Sequence, residues 1–352
     1  MYPDYIKFPD DICLHLNRLF KTEAYTKIGV LVDEHTKAHC LPHIAPALPS
    51  DFILFEIKSG EQNKNLITCE KIWSEMTSSG FDRSSLLINL GGGVIGDMGG
   101  FCAATFKRGI NFINIPTTLL AQVDASIGGK LGIDFGHYKN HIGLFQDPYQ
   151  VIIYPEFLDT LPRTELRSGF AEVIKHGLIA DQNYWASISG LSFDAQPWEE
   201  HIKHSIGVKG KVVENDPTEK GLRKILNFGH TIGHAVEGYY LNDDNQKLLH
   251  GDAVAIGMIC EAYLSQERCG LSQEAFGKIS SFILDIYEHL DIKQDQINDI
   301  VKLLGQDKKN KGNKILCSLL ETEGKAVFDV VISVEDAKKA LSYYSHLSVK
   351  NL

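Results

Sequence analysis

The chain has 352 residues, with 35 Lys and Arg against 45 Asp and Glu, for a formal net charge of −10. That sign argues against nucleic-acid binding as the main task and obliges any anionic ligand to find a local basic pocket. Hydrophobic content of 43% and charged content of 23% are ordinary for a soluble globular protein, and the length is enough for about two domains. The seven cysteines are odd in number, scattered and without a C-x-x-C pair, which predicts reduced thiols and not a disulfide framework or a cysteine zinc site. The opening Met1-Tyr2-Pro3-Asp4 lacks the basic-then-apolar pattern of a signal peptide. The sequence has no apolar run of the ~18 residues that a membrane span needs. A cytoplasmic protein with no membrane and no nucleic-acid partner is therefore expected.

In chain order, strands are predicted at 27–32, 52–57, 86–90, 112–115 and 151–154, with helical patterns between them, as at 66–79. The alternation reads as a parallel sheet with helices on its faces. From about Leu158 the texture changes. Segments 165–179, 198–213, 227–240, 251–269 and 275–290 have helical apolar spacing, and strand signals remain only at 314–319 and 326–332. The predicted architecture is an α/β N-terminal nucleotide-binding domain with a parallel sheet, residues 1–154. A mostly α-helical C-terminal domain follows, residues 155–352, with the boundary at Tyr154-Pro155.

The most informative stretch is Gly91-Gly92-Gly93-Val94-Ile95-Gly96-Asp97. It follows the apolar run 86–90 and precedes small, apolar residues suited to a buried helix. Strand, glycine loop, helix is the geometry in which backbone N–H groups and a helix N-terminus bind a pyrophosphate. The stretch departs from the dinucleotide fingerprint in one respect, because no acidic residue lies about 20 positions downstream. The same glycines also suit a tight turn with close helix–strand packing.

A second constellation has metal-ligand character. His230 and His234 are spaced i, i+4 on one helix face. His250 opens another predicted helix, and Glu172 lies in the helical run 168–175. Two histidines, a carboxylate and an open position make a catalytic zinc set. The spacing approaches H-E-x-x-H, but Thr231 stands where a metalloprotease needs its glutamate base, which excludes that class. A third group is cationic: Arg108, Lys130, Lys139, Lys175, Lys209 and Arg223, with Asn140 and Asn227 beside them. These side chains are the ones that recognise phosphate and carboxylate. The run 307–311, with Lys308, reads as a solvated loop or as a lid over an anion.

Taken together, these segments resemble the 3-dehydroquinate synthase family of sugar phosphate cyclases. The match runs through Ser59-Gly60-Glu61-Gln62-Asn63-Lys64, the glycine loop, and Pro116-Thr117-Thr118-Leu119-Leu120-Ala121-Gln122-Val123-Asp124. It continues through Gly128-Gly129-Lys130, Lys139-Asn140, Ala171-Glu172-Val173-Ile174-Lys175, Asn227-Phe228-Gly229-His230-Thr231 and His250-Gly251-Asp252. Independent motifs in one order over roughly residues 25 to 320 make the resemblance specific.

The resemblance implies roles position by position. Glu172, His230 and His250 match zinc ligands, with Co2+ a possible substitute, while His234 matches a catalytic or phosphate-contacting histidine. Lys130, Asn140 and Lys175 share the catalytic assignment. NAD+ contacts are implied for Asp33, Glu61, Lys64, Gly92, Gly93, Val94, Asp97, Thr117, Thr118, Lys130, Lys139, Phe157 and Thr160. Substrate contacts are implied for Arg108, Asp124, Lys130, Asn140, Lys175, Lys209, Arg223, Asn227, His234 and Lys308. In the family, Arg108 reaches a neighbouring active site, which implies a homodimer. The implied reaction converts 3-deoxy-D-arabino-heptulosonate 7-phosphate to 3-dehydroquinate and phosphate. It proceeds by transient oxidation with NAD+, phosphate elimination, reduction and aldol cyclisation. A sister cyclase, or an NAD- and metal-dependent polyol dehydrogenase of related fold, is the alternative. The triplet Asp33-Glu34-His35 and a longer stretch between His234 and His250 depart from the usual family pattern.

Overall fold

Leu86-Leu87-Ile88-Asn89-Leu90-Gly91 is buried at every position, as a strand covered on both faces must be. It is the fourth of six strands: β1 (Ile6–Lys7), β2 (Ile28–Asp33), β3 (Ile53–Ile57), β4 (Leu86–Gly91), β5 (Asn111–Pro116) and, after the antiparallel hairpin β6 (Lys130–Phe135) and β7 (Tyr138–Phe145), β8 (Gln150–Ile152). The order across the sheet is β1-β8-β5-β4-β2-β3, and every pairing is parallel. In this computed structural model the described residues are 3–136, 138–240, 248–304 and 314–347.

Alternate residues of the strands feed two separate cores, one on each face. Leu31, Phe55, Leu87 and Phe112 pack with Ile95, Met98 and Cys102 of the helix Gly93–Thr105. Val30, Val32, Ile88, Ile113 and Ile152 pack with Ile12, Leu16 and Leu19 of the helix Ile12–Thr22. That second helix and strand β1 were not predicted from the sequence. The helix Gly93–Thr105 lies close to the sheet because it is small where it crosses. A Cβ on Gly99 would run into Asn89, and one on Gly100 into Leu131. Asn89 Nδ2 donates to Asn114 Oδ1 across β4 and β5 at 2.9 Å, which gives a buried amide donor a partner inside an apolar sheet.

From β2 the chain steps outward to β3, returns to β4 on the other side of β2, and continues outward to β5 and β8. The strand order therefore reverses between β2 and β4. Parallel sheets bind ligands outside the carboxyl ends of their strands at such a reversal.

The chain divides into two compact units. The first holds Met1–Leu166 and Ile202–Gly210, and the second holds Arg167–His201 and Lys211–Leu352. Residues 155–166 thus go with the α/β unit, and the cut falls inside the helix Arg163–Ala180. The second unit contains the helices Gln182–Ser189, His230–Tyr240, His250–Cys269, Gln273–Ile286, Gln294–Leu304 and Val334–His346. It also contains an antiparallel pair, β9 (Ile315–Thr322) and β10 (Lys325–Ile332). An aromatic cluster fills part of its core, where Phe170 meets Phe193 at 5.5 Å and Trp198 at 5.4 Å edge-on. All seven cysteines carry free thiols. Among the described residues no helix is long and apolar enough to cross a membrane.

Candidate active site

In the first unit, the residues implied for a dinucleotide gather at the carboxyl ends of the parallel strands. Asp33 ends β2, Glu61 and Lys64 follow β3, Gly92 to Asp97 follow β4, Thr117 and Thr118 follow β5, and Phe157 and Thr160 follow β8. Gly92 is the N-cap of the helix Gly93–Thr105 and has no side-chain cap. The first N–H groups of that helix therefore point out of the strand end, where an anion can accept from them. A Cβ on Gly92 would lie 3.1 Å from Thr118 Cγ2, so glycine keeps this approach open. Phe157 is 2% exposed and packs into the second core, against His43 at 5.6 Å. Thr160 is exposed.

Lys64 is the centre of a polar network. It is 3% exposed, and its Nζ donates to Asp97 Oδ2 and to Asn140 Oδ1, each at 2.6 Å. Burial opposes its charge, but the carboxylates of Asp97 and Glu61 outweigh that and lift the ammonium above its ordinary range. The hairpin is tied to the same point, since Asp134 N donates to Lys64 O at 2.9 Å and Asn140 N to Asp134 Oδ1 at 2.7 Å. Asn140 sits at φ 48°, in the left-handed region that asparagine tolerates better than most residues. Lys130 and Lys139 lie on the two strands of this hairpin. Asp124 accepts from Lys209 Nζ through its carbonyl at 2.6 Å and pairs with it through Oδ1 at 2.9 Å. Arg108 is exposed on a turn where Lys107, Arg108 and Gly109 have φ of 50°, 70° and 110°. Two consecutive non-glycine residues in that region store roughly 1–2 kcal/mol each, so the turn is held by its surroundings in a shape that presents Arg108.

In the second unit, three elements converge on Glu172, which is fully buried. Glu172 comes from the helix Arg163–Ala180, His230 and His234 from His230–Tyr240, and His250 from the first position of His250–Cys269. Glu172 Oε1 lies 3.3 Å from His230 Nε2 and 3.8 Å from His250 Nε2, and its other oxygen contacts Lys175. One nitrogen from each of His230, His234 and His250 lies within 4.8 Å of the others. His234 is exposed, with its ring 5.1 Å from His230 and 5.8 Å from His250.

Burial would raise the Glu172 carboxyl, yet Lys175, His230 and His250 together hold it well below the usual carboxylate range. Burial, reinforced by Lys175, keeps His230 below its ordinary value and neutral. Burial also works against charge on His250, but the bonds to Glu172 and Glu237 push it up to about 10. An ion bound here would have to release the His250 proton.

The helices are locked to one another around this point. Glu261, fully buried on the His250 helix, accepts from Gly229 N at 2.6 Å and Ile232 N at 2.9 Å, capping the helix that carries His230. Gly229 has φ 79°, and a Cβ on Gly257 would collide with its carbonyl. Gly251 N donates to Ser168 Oγ at 3.0 Å, and Arg167 Nη2 meets Asp252 at 3.1 Å, which ties the Glu172 helix to the His250 helix. Sequence reasoning missed Glu237 and Glu261. The signals were an acid at i+7 from His230 and one buried in an otherwise apolar helix.

Arg223 is 1% exposed, and its Nη1 donates to Pro217 O at 2.7 Å. Asn227 Nδ2 donates to Glu219 Oε1 at 2.8 Å. Lys308 lies outside the described residues.

The fold of the chain aligns with solved synthases and with solved alcohol and glycerol dehydrogenases. The chain is similar to a 2-epi-5-epi-valiolone synthase from Streptomyces hygroscopicus subsp. jinggangensis, solved with NAD+ and Zn2+. The TM-score is 0.84 at 23% identity, covering 98% of this chain and 97% of the other. A 2-deoxy-scyllo-inosose synthase, solved with carbaglucose-6-phosphate, NAD+ and Co2+, aligns at TM-score 0.83 and 22% identity over 96% of both chains. At these identities the likeness shows the fold. The family is decided by sequence. Residues 54–168 match the 3-dehydroquinate synthase N-terminal domain and 169–310 the C-terminal domain. The 3-dehydroquinate synthase of Parabacteroides distasonis is 40% identical over 339 residues, 95% of this chain and 96% of that one. That of Campylobacter concisus is 40% identical over 332 residues, 93% and 94% of the two chains. The chain belongs to the 3-dehydroquinate synthase family.

Proposed function

We propose that this protein is an NAD+- and divalent-metal-dependent carbon–oxygen lyase that converts 3-deoxy-D-arabino-heptulosonate 7-phosphate to 3-dehydroquinate and phosphate. Membership of the family carries the reaction. The donor set of Glu172, His230 and His250 is the observation that supports the metal. It combines a buried anionic carboxylate with two imidazoles, each turned by its other nitrogen. His230 Nδ1 contacts Phe228 O at 3.1 Å, and His250 Nδ1 contacts Glu237 Oε2 at 3.3 Å. Such bonds fix a ligating histidine's orientation, and nitrogen and carboxylate donors with an open position suit a catalytic Zn2+. Bound there, the ion would supply Lewis acidity, and NAD+ would supply a reversible hydride acceptor.

The chain's own groups bind and orient. The N–H groups after Gly92 receive the dinucleotide phosphates, with Asp33, Glu61, Lys64, Asp97, Thr117, Thr118 and Lys139 around them. Lys130, Asn140, Lys175, Asn227 and His234 hold the substrate phosphate and offset its charge as it leaves. Arg223 and Lys209 meet the carboxylate. The exposure of His234 beside the more buried His230 supports a substrate role for it and a ligand role for His230. The division into an NAD-binding domain and a metal- and substrate-binding domain, the cytoplasmic location and a homodimer that shares Arg108 belong to the same reading.

The test is phosphate release from the heptulosonate phosphate in the presence of NAD+ and Zn2+. Chelation should abolish it, and Zn2+ or Co2+ should restore it. His250→Ala should lose bound metal, while His234→Ala should retain metal and lose turnover. Full activity of His250→Ala in metal-free buffer would overturn the metal assignment.

A further inference from the structure

We propose that Glu237 is a positioning residue that presents His250 to the ion, an inference that rests on the metal reading above. Glu237 is 6% exposed and stands seven residues after His230 and three after His234. One helix, His230–Tyr240, therefore places a ligand, a substrate-facing histidine and this carboxylate on one face, in successive turns.

Its Oε2 lies 3.3 Å from His250 Nδ1, while His250 Nε2 faces Glu172 Oε1 at 3.8 Å. The two ring nitrogens thus have separate duties. The carboxylate holds Nδ1–H, which leaves the Nε2 lone pair for a metal. His230 is oriented differently, with its Nδ1 against the backbone carbonyl of Phe228 at 3.1 Å, a group its own chain fixes. His250 is also the less enclosed of the two, with a side chain 26% exposed against 13% for His230. It stands at the first position of its helix, where no preceding helical turn packs around it. The ring with least packing is the one given a side-chain anchor. Glu237 also links the helix of His230 to the helix of His250, so that both imidazoles keep one spacing.

The experiment compares Zn2+ affinity, by competition against a chelator, and the visible spectrum with Co2+, in the full-length protein and its variants. Glu237→Ala should weaken Zn2+ binding by about 10–100-fold and shift the Co2+ bands. Glu237→Gln keeps an acceptor oxygen but no charge, and should show a smaller loss with a smaller shift. Circular dichroism should show both variants folded. If Glu237→Ala is damaged in its fold, the Gln variant decides: affinity and Co2+ spectrum identical to the wild type overturn the proposal. Wild-type affinity in a folded Glu237→Ala also overturns it, provided His250→Ala still loses the metal. Undiminished Zn2+ binding by His250→Ala would instead remove the ligand assignment itself.

Discussion

Arg223, proposed above to read the substrate carboxylate, stands in a tightly bonded loop. Asp216 accepts from the backbone N–H groups of Lys220, Gly221 and Arg223 at 3.0, 2.7 and 3.0 Å. Burial works against the Asp216 carboxylate, but those three bonds and the Arg223 charge hold it below its ordinary range. The loop is thereby closed, and one guanidinium nitrogen donates to Pro217 O; the planar fork of an arginine is the group that can pair with a carboxylate bidentately. Arg223→Lys removes bidentate pairing while keeping the charge. It should lower kcat/KM on the natural substrate by about 2 kcal/mol or more and cost much less on an analogue without the carboxylate. Equal losses on both substrates would show that Arg223 does not read that group. At this scale the sequence was informative where residue types are chemically unusual. A histidine pair with a third histidine and a glutamate points to a metal in any order along the chain. The joint role of Lys64, Asp97 and Asn140 was not readable, because these residues are far apart in sequence and meet only where β3, β4 and the hairpin end at one edge. The missing acid downstream of the glycine loop has a similar cause. The strand beside β4 at the reversal is β2, which ends at Asp33, so the acidic strand end comes before the loop in sequence.

Among the elements, the central strands of the sheet and several long helices were legible to within a few residues. The elements missed include two amphipathic helices, Ile12–Thr22 and Gln294–Leu304, as well as shorter ones. Strand β1 is a two-residue edge, too short to show a period. Hairpin β6–β7 exposes Phe135, Tyr138 and Phe145, which blurs the inside–outside alternation expected of a strand. The last helix, Val334–His346, was missed although Ser333 and Asp336 form a capping box there, the sequence mark of a helix start. Asp336 Oδ2 accepts from Ser333 N at 2.8 Å and from Arg268 Nη2 at 2.8 Å. Burial opposes its ionisation, but these bonds outweigh it and hold the carboxyl below its ordinary value of 3.8. A folded-state pKa below the unfolded one gives stability that is present above the unfolded value and is lost as pH falls through the folded value. Asp336→Asn should therefore cost about 1 kcal/mol at neutral pH, measured by urea unfolding. The gap to the wild type should close as pH drops below the ordinary aspartate range. A gap that persists unchanged in acid would mean that the carboxylate charge contributes nothing to the cap.

At the scale of the whole molecule, an acidic chain of net charge −10 keeps several cations buried: Lys64, Lys175, Lys209 and Arg223 are 3%, 1%, 6% and 1% exposed. Burying an ammonium or guanidinium is costly unless it is paired, and Lys64, Lys175 and Lys209 each contact a carboxylate. Such groups are kept where anions must be bound, which fits a phosphorylated acid as substrate better than a neutral polyol. The fold alone does not separate these classes. The difference lies in what happens to the hydride. A dehydrogenase releases its oxidised product together with NADH, so NADH accumulates one for one with turnover. A cyclase returns the hydride to the same substrate before release. NAD+ should then be required for phosphate release but not consumed, and an amount far below that of the substrate should support complete conversion. Phosphate and NADH, followed together in one reaction, check this. Phosphate should rise through many turnovers per NAD+ while NADH absorbance stays flat. NADH rising in proportion to product would place the protein with the dehydrogenases that share its architecture.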